Sequence, residues 1–255
     1  MPLLEVEKLT VRFGGLTAVS DFSFHADAGA LVALIGPNGA GKTTAFNIIT
    51  GIYAPTSGSV RFDSHEIGGA SPHRICALGV GRTFQNIRLF RSLSALENVR
   101  TALIGTQRSG LRDVVRGGRW LRREAELEAR GRSLLARLGL ERMADVRADS
   151  LPYGEQRRLE IARALASDPR LLLLDEPAAG MNPSEKDALC ALVAGLRDEL
   201  GLTIVLIDHD VGFVMNLCER VTVLDHGEKI AEGPPDAVRR DPRVIEAYLG
   251  TGEAA

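Results

Sequence analysis

A glycine-rich segment of this chain, Gly36–Thr43, has the sequence GPNGAGKT. Two glycines separated by four residues and followed by Lys and Thr match the phosphate-loop pattern. The glycines let successive N–H groups point at a polyphosphate, while Lys42 supplies a compact positive charge and the Thr43 hydroxyl suits Mg²⁺. The apolar run Leu31–Ile35 precedes the loop, and a helical pattern from Lys42 to about Thr50 follows it. This strand-to-helix context predicts a nucleotide-binding α/β fold.

The overall composition excludes several classes of protein. The chain has 255 residues, 45% of them hydrophobic, which is enough for one sizeable core and a smaller lobe. Its net charge of -2 gives no general attraction to nucleic acid, and no apolar run approaches the roughly 18–20 residues of a membrane span. The N-terminus alternates like a strand and lacks the pattern of a secretion signal, so we expect a cytoplasmic protein. The cysteines have no metal-ligand spacing and are predicted to be buried or half-buried: Cys76, Cys190 and Cys218.

The order of the apolar runs predicts an α/β core interrupted by a helical insertion. Short runs in residues 3–35 predict three or four strands, the N-terminal ones antiparallel. Towards the C-terminus helices alternate with buried strands, which is typical of a parallel sheet covered on both faces. Residues of about 90–165 are predicted to form a helical lobe inserted in this core, and short helices are expected at about 235–250. We therefore predict a P-loop NTPase core with a mostly parallel sheet, organised as a single domain of residues 1–255.

Local signals delimit several of the predicted helices. Ser94–Glu97 is a capping box. The Ser94 side chain can accept the backbone N–H of Glu97, and the Glu97 side chain can accept the backbone N–H of Ser94. A second long helix is predicted over Leu121–Leu138, and Gly110–Gly118 is predicted to be a mobile connection. In the core, helices are expected over Glu155–Ala166 and Ser184–Leu200.

A later buried strand ends in two carboxylates. Leu171–Leu174 is followed directly by Asp175 and Glu176. In a P-loop enzyme the first acid can hold Mg²⁺, often through water, and the second can polarise the attacking water. We therefore predict Asp175 as a metal ligand and Glu176 as the base that activates water.

Further motifs distinguish this chain from other P-loop proteins. Leu151–Gln156, with the sequence LPYGEQ, opens the helix before the acidic strand and resembles the signature motif of ATP-binding cassettes, usually LSGGQ. Gln85 resembles the cassette Q-loop glutamine, and His209, after the last buried strand, resembles the switch histidine. Phe13 stands where cassettes place an aromatic ring under the adenine. The resemblance covers almost the whole chain.

The resemblance implies a role for each of these positions, with ATP as the substrate and Mg²⁺ as the cofactor. The implied catalytic residues are Glu176, His209 and Lys42. The implied Mg²⁺ ligands are Thr43, Gln85 and Asp175. The implied nucleotide-binding residues are Phe13, Val19, Asn38, Gly39, Ala40, Gly41, Lys42, Thr43, Thr44 and Gln85. The signature residues implied to reach the ATP of a partner cassette are Pro152, Tyr153, Gly154 and Glu155.

Three longer segments are similar to the ATP-binding subunits of branched-chain amino-acid importers. They are Leu151–Arg163, Glu176–Pro183 and Val244–Gly250. This resemblance implies a second cassette ATPase, related or identical, and membrane-spanning permease subunits that receive solute from a periplasmic or extracellular binding protein. It also implies a peripheral position on the cytoplasmic face of the inner membrane, with no nucleic-acid partner.

Pro152 and Asn182 depart from the general cassette pattern. Pro152 occupies the position of the signature serine and has neither a hydroxyl nor an N–H, so two donors to the γ-phosphate are lost. The N–H groups around Gly154 and the helix dipole can still bind an anion. Asn182 stands where many cassettes have the aspartate of the D-loop. We hypothesise that the two composite ATP sites of the cassette pair are unequal.

Two other functions stay open at this point. An arginine-rich segment would suit a soluble cassette ATPase acting on nucleic acid or ribosomes, although the acids that follow it favour a solvated helix face. A P-loop kinase is the other alternative, but it has no use for a signature motif. The arginines concerned are Arg108, Arg112, Arg116, Arg119, Arg122 and Arg123.

Overall fold

The computed structural model describes residues 2–105 and 117–249 of the chain. It divides into two compact units. The core unit comprises Met1–Arg82 and Arg170–Ala255, and the helical unit comprises Thr83–Pro169.

The core unit contains two sheets and the helices that accompany them. Its strands are β1 (Pro2–Phe13), β2 (Leu16–Asp27), β3 (Leu31–Ile35), β4 (Ser57–Phe62), β5 (His65–Glu66), β6 (Val80–Arg82), β7 (Leu171–Asp175), β8 (Thr203–Ile207), β9 (Arg220–Asp225) and β10 (Glu228–Gly233). Its helices are α1 (Lys42–Ile49), α2 (Pro72–Ala77), α6 (Pro183–Leu200), α7 (Val211–Leu217), α8 (Pro235–Arg239) and α9 (Pro242–Leu249). The helical unit contributes α3 (Ala95–Gly105), α4 (Gly117–Arg137) and α5 (Tyr153–Leu165).

The larger sheet of the core unit has six strands in the order β10-β9-β3-β8-β7-β6, and only β10 runs antiparallel to its neighbour. Every residue of β3, β7 and β8 is buried, which explains their continuous Leu, Ile and Val runs. In the register, Leu34 of β3 and Asp175 of β7 both pair with Ile207 of β8. The carboxyl ends of the three strands are therefore level, and the segments that follow them leave the sheet at the same edge.

The smaller sheet is antiparallel, in the order β2-β1-β4-β5. Inward residues of these strands, including Leu4, Phe22 and Phe62, join the apolar core beside α1. The predicted fold class, a mostly parallel sheet with N-terminal antiparallel strands, is confirmed. No helix among residues 2–105 and 117–249 is both long and apolar enough to span a bilayer.

The helical unit begins its first helix at the predicted capping box. The Ser94 N–H donates to Glu97 Oε2 at 2.7 Å, and the Glu97 N–H donates to Ser94 Oγ at 3.2 Å. The second helix begins at Gly117, four residues before the predicted start, and most of the predicted connection Gly110–Gly118 lies outside the described residues. Helix α5 begins at Tyr153, two residues earlier than predicted, because Pro152 already has a favourable φ of -52° at its N-cap.

The sequence patterns do not reveal four short elements, β5, α2, β6 and α7. Each has seven residues or fewer, which is too short for a hydrophobic period to emerge. The expectation for the cysteines is wrong at one position. Cys76 is exposed near the end of α2, Cys190 is half-buried and Cys218 is buried.

Candidate nucleotide site

The backbone of the phosphate loop requires glycine at the predicted positions. Gly36, Gly39 and Gly41 have φ values of 148°, 82° and 101°, in the region that side chains disfavour. A Cβ on Gly36 would lie 2.0 Å from the Leu224 carbonyl oxygen, and a Cβ on Gly41 would lie 2.6 Å from a backbone oxygen. The glycines therefore allow both the turn and its close approach to the neighbouring chain.

Lys42 lies in the first turn of α1 and is 7% exposed. Its Nζ donates to the carbonyls of Gly36 at 2.6 Å and Pro37 at 2.8 Å, so the ammonium is held under the loop. Burial lowers the pKa of this lysine, while the nearby carboxylates of Glu176 and Asp175 raise it. The positive charge and the two acids predicted to act with it thus share one electrostatic environment.

The open side of the loop carries several of the predicted nucleotide-binding residues. Asn38, Gly39 and Thr43 are exposed, and Thr44 is half-buried. Because the N-cap of α1 is glycine, no side chain covers the N–H groups of the first turn. This combination suits an anion, which would accept those N–H groups. Ala40, also predicted here, is buried.

Phe13 and Val19, the two predicted apolar contacts, are placed differently. Phe13 ends β1 with 44% of its surface exposed, and its ring meets that of Tyr53 edge-on, with centroids 5.2 Å apart. Val19 is fully buried and approaches Gly41 from behind. The exposed ring can stack on a base, whereas the valine supports the loop. Sequence reasoning missed Tyr53, since no local pattern pairs it with a residue 40 positions earlier.

Asp175 ends β7 and is 2% exposed. Arg82, at the end of β6, donates to its Oδ2 at 2.8 Å. The same guanidinium donates to Asn47 Oδ1 at 2.8 Å and Thr50 Oγ1 at 2.9 Å, both on or just after α1. Arg82 therefore connects the predicted metal ligand to the helix that follows the phosphate loop. Sequence reasoning missed this residue, because its partners lie 32 to 93 positions away.

Glu176 has a left-handed backbone, with φ of 48°, and its N–H donates to the Ile207 carbonyl at 2.7 Å. A non-glycine residue in this conformation is strained, and such strain often marks a functional position. The exposed His209 follows β8, with its Nδ1 3.6 Å from Glu176 Oε2. The structure thus brings together two residues that the sequence predicts to act on the same phosphate.

Asp208 is a buried acid that belongs to none of the predicted motifs. Its carboxylate accepts the N–H groups of Asp210 at 2.9 Å and Ala178 at 3.3 Å. Burial raises the pKa of Asp208, and these hydrogen bonds oppose the shift. The acid links the turn after β7 to the turn after β8, so it fixes the segments that carry Glu176 and His209.

The remaining predicted residues lie in the helical unit. Pro152 is the N-cap of α5, and Tyr153 and the half-buried Gly154 and Glu155 form its first turn. The carbonyl of Gln85 accepts the Arg157 guanidinium at 2.7 Å. Signature and Q-loop residues are therefore both held by α5 within one unit.

The residues present fit Mg²⁺ held jointly with a polyphosphate. Within residues 2–105 and 117–249, no group of three or more His, Cys, Asp and Glu side chains could hold a metal on its own. Mg²⁺ ordinarily takes one or two carboxylates and completes its shell with phosphate oxygens and water. Asp175 supplies such a carboxylate, because it is buried and lies near the Lys42 ammonium.

The sequence that carries this loop, these acids and the signature also matches a known protein family. The ABC transporter family matches residues 19–179, more than half of the chain. The chain belongs to the ABC transporter ATPase family. A second description, of the branched-chain amino acid ATP-binding cassette transporter, matches residues 228–254 of this ABC ATPase.

Curated relatives match this ABC ATPase over almost its whole length. The high-affinity branched-chain amino acid transport ATP-binding protein BraF of Pseudomonas aeruginosa is 45% identical, with 98% of both chains covered. The corresponding LivG protein of Escherichia coli K12 is 43% identical with the same coverage. The lipopolysaccharide export system ATP-binding protein LptB of that organism is 34% identical, again over 98% of both chains.

Solved structures of ATP-binding cassettes have the same fold. The ADP conformation of MJ1267, a cassette of an ABC transporter, has a TM-score of 0.86 at 30% identity and covers 98% of this chain and 99% of its own. A dimeric post-hydrolysis state of the cassette MJ0796, bound to ADP and Pi, has a TM-score of 0.77 at 28% identity and covers 91% of this chain and 98% of its own. The predicted family, ATP binding and ATPase activity are thereby confirmed.

The C-terminal helix α9 of this ABC ATPase also reaches the phosphate loop. Burial raises the pKa of Tyr248 to about 12, and the nearby backbone of Gly36 opposes the shift. Tyr248 lies inside the segment that matches the branched-chain amino acid family. This segment therefore supports the nucleotide site from the core unit itself.

Proposed function

We propose that this ABC ATPase hydrolyses ATP to power the uptake of branched-chain amino acids, or of similar small polar solutes, by a membrane transporter. The observation that carries the proposal is the 45% identity, over 98% of both chains, to a curated branched-chain amino acid transport ATP-binding protein. The export relative is less similar, at 34% identity. The match of residues 228–254 adds support from outside the ATP-hydrolysing motifs. A soluble ATPase acting on nucleic acid or ribosomes is not favoured, because these relatives are transport proteins.

In this proposal each of the site residues in the core unit has a separate role. Phe13 stacks on the adenine, and Lys42 with the loop amides binds the phosphates. Glu176 accepts a proton from the attacking water while His209, 3.6 Å from it, contacts the γ-phosphate. Asp175 and Thr43 would hold Mg²⁺ in this unit, and the bound ion would supply charge neutralisation at the phosphate oxygens.

The proposed assembly contains a second cassette ATPase and membrane-spanning permease subunits. Each ATP is bound by the loop of one cassette and by Pro152, Tyr153, Gly154 and Glu155, or their equivalents, of the other. A separate binding protein delivers the solute to the permeases. The chain lies on the cytoplasmic face of the inner membrane, attached through these partners.

Uptake of leucine tests the proposed solute. Deleting the gene for this chain should lower initial uptake of radiolabelled leucine, isoleucine and valine at least tenfold, and the intact gene should restore it. A gene encoding Glu176→Gln should not restore uptake, because assembly remains while hydrolysis stops. Unchanged uptake of all three amino acids in the deletion strain would show that the solute is another one. A matched control is uptake of proline, which should not change.

Restoring the signature hydroxyl tests whether the two ATP sites are unequal. Pro152 is an exposed N-cap, so Pro152→Ser keeps a good capping residue and adds a donor. We expect it to raise the ATP affinity of the assembled transporter about 5-fold to 15-fold, which corresponds to one hydrogen bond of about 1–1.5 kcal/mol. Steady-state hydrolysis against ATP concentration measures this. Ser94→Ala, at the other capping site of the helical unit, is the control for capping effects on stability. An unchanged KM and kcat would mean that the missing hydroxyl has no role.

A further inference from the structure

Arg157 is a buried cation in the second turn of the signature helix, α5. It is 4% exposed, and a buried guanidinium needs hydrogen-bond acceptors for most of its five N–H groups. It donates to the carbonyls of Phe84 at 3.0 Å and Gln85 at 2.7 Å. It also donates twice to the hydroxyl of Tyr153, from Nε at 3.0 Å and from Nη2 at 2.8 Å. One side chain thus connects the signature to the backbone of the predicted Q-loop.

A second buried charge on the same helix holds the next part of that segment. Glu160 is 5% exposed, and its carboxylate accepts the N–H of Arg88 at 3.1 Å. It also lies 3.5 Å from the Arg157 guanidinium. Arg163, one turn farther along α5, donates to the Arg88 carbonyl. Residues 84–88 are therefore attached to α5 at both ends of the segment.

Tyr153 is a departure from the usual cassette signature, which has glycine at this place. A glycine would leave Arg157 without the hydroxyl that accepts two of its N–H groups. The tyrosine ring is 44% exposed, so its burial contributes less than that of a core aromatic. The chemistry that distinguishes tyrosine here is the hydroxyl turned back towards Arg157.

We propose that Tyr153 and Arg157 are positioning residues that hold the signature and residues 84–88 together, so that the two segments move as one rigid body. A displacement of the Gln85 segment then moves Pro152–Glu155 with it, and a displacement of the signature moves the segment. The proposal rests on the proposed function, because the signature acts on the ATP of a partner cassette. Arg157 is buried and acts through Tyr153, whose hydroxyl accepts two of its N–H groups.

The test uses Tyr153→Phe, which removes the hydroxyl alone, and Arg157→Met, which keeps the bulk and removes the charge. In the isolated chain, hydrogen–deuterium exchange of the amides of residues 84–88 should become about 5-fold to 20-fold faster in either variant. In the assembled transporter, leucine uptake per ATP hydrolysed should fall at least 5-fold in either variant. The double variant should resemble Arg157→Met alone, since both changes break one connection.

Arg132→Met is the matched control, because this exposed arginine of α4 pairs with the exposed acids Glu128 and Asp145. It should leave exchange and the uptake-to-hydrolysis ratio unchanged. If Arg157→Met does not fold, the exchange rates of Tyr153→Phe alone test the proposal. Unchanged exchange at residues 84–88 in Tyr153→Phe, or additive effects in the double variant, would overturn the proposal. A transporter that moves no leucine but whose variants still exchange faster would contradict the proposed function and leave this inference standing.

Discussion

Replacing Glu176 by Gln is expected to slow ATP hydrolysis by roughly 10²–10⁴-fold and to leave ATP affinity nearly unchanged. Glutamine has the size and hydrogen-bonding shape of glutamate but cannot accept a proton from water. The Glu176 N–H donates to the Ile207 carbonyl through the backbone, so the substitution leaves that anchor in place. The strained φ of 48° is also retained, because both side chains are equally disfavoured there.

Two measurements separate the chemistry from binding in this variant. Phosphate release under saturating ATP reports hydrolysis, and equilibrium binding of a fluorescent ATP analogue reports affinity. Glu228→Gln is the control, since Glu228 is an exposed acid of β10 in the same unit. It should hydrolyse ATP at the wild-type rate. Hydrolysis by Glu176→Gln at the rate of this control would mean that another group activates the water.

Replacing Arg82 by Met is expected to lower the free energy of unfolding by about 3–5 kcal/mol, because it leaves Asp175 as a buried carboxylate without its cation. The side chains of the pair are 6% and 2% exposed, so water cannot substitute for the guanidinium. Arg82 also donates to Asn47 and Thr50, and its guanidinium lies over the Phe46 ring. The variant would therefore loosen the connection between β7 and α1.

Urea denaturation of the isolated chain, followed by circular dichroism, measures this effect. Arg61→Met is the matched control, because Arg61 pairs with Glu5 and Glu7 through solvent-accessible side chains and should change stability by at most about 1 kcal/mol. Combining Arg82→Met with Asp175→Leu removes both buried charges and should recover part of the loss. Equal urea midpoints for Arg82→Met and Arg61→Met would show that the buried Arg82–Asp175 pair contributes no more to the free energy of unfolding than the exposed pairs of Arg61.

The motifs that sequence reasoning identified share a physical property. The phosphate loop, the Ser94–Glu97 capping box and the acidic end of β7 are each made by residues within a few positions of one another. Backbone freedom at glycine, reciprocal capping and strand burial act over that short range, so they leave a readable pattern. The family resemblance then located Phe13 and His209, which have no local pattern of their own.

The residues that sequence reasoning missed act over longer separations. Arg82 meets Asp175 across 93 positions, and Arg157 meets Phe84 and Gln85 across 73 and 72 positions. The local sequence around an arginine in a helix or at a strand end does not show whether its side chain faces water or a buried acid. Which of the two it faces depends on neighbours that the fold brings to it, and therefore on the register of β6, β7 and β8.

Local backbone chemistry and hydrophobic periodicity specify the fold class, the phosphate loop and the order of the acids, so these features can be predicted from the amino-acid sequence. The packing of distant segments places Lys42 under the loop near two carboxylates, sets Val19 behind the loop, and brings the exposed Phe13 against Tyr53. The same holds for the buried arginines. Desolvation selects their partners, and desolvation exists only after distant segments have packed together.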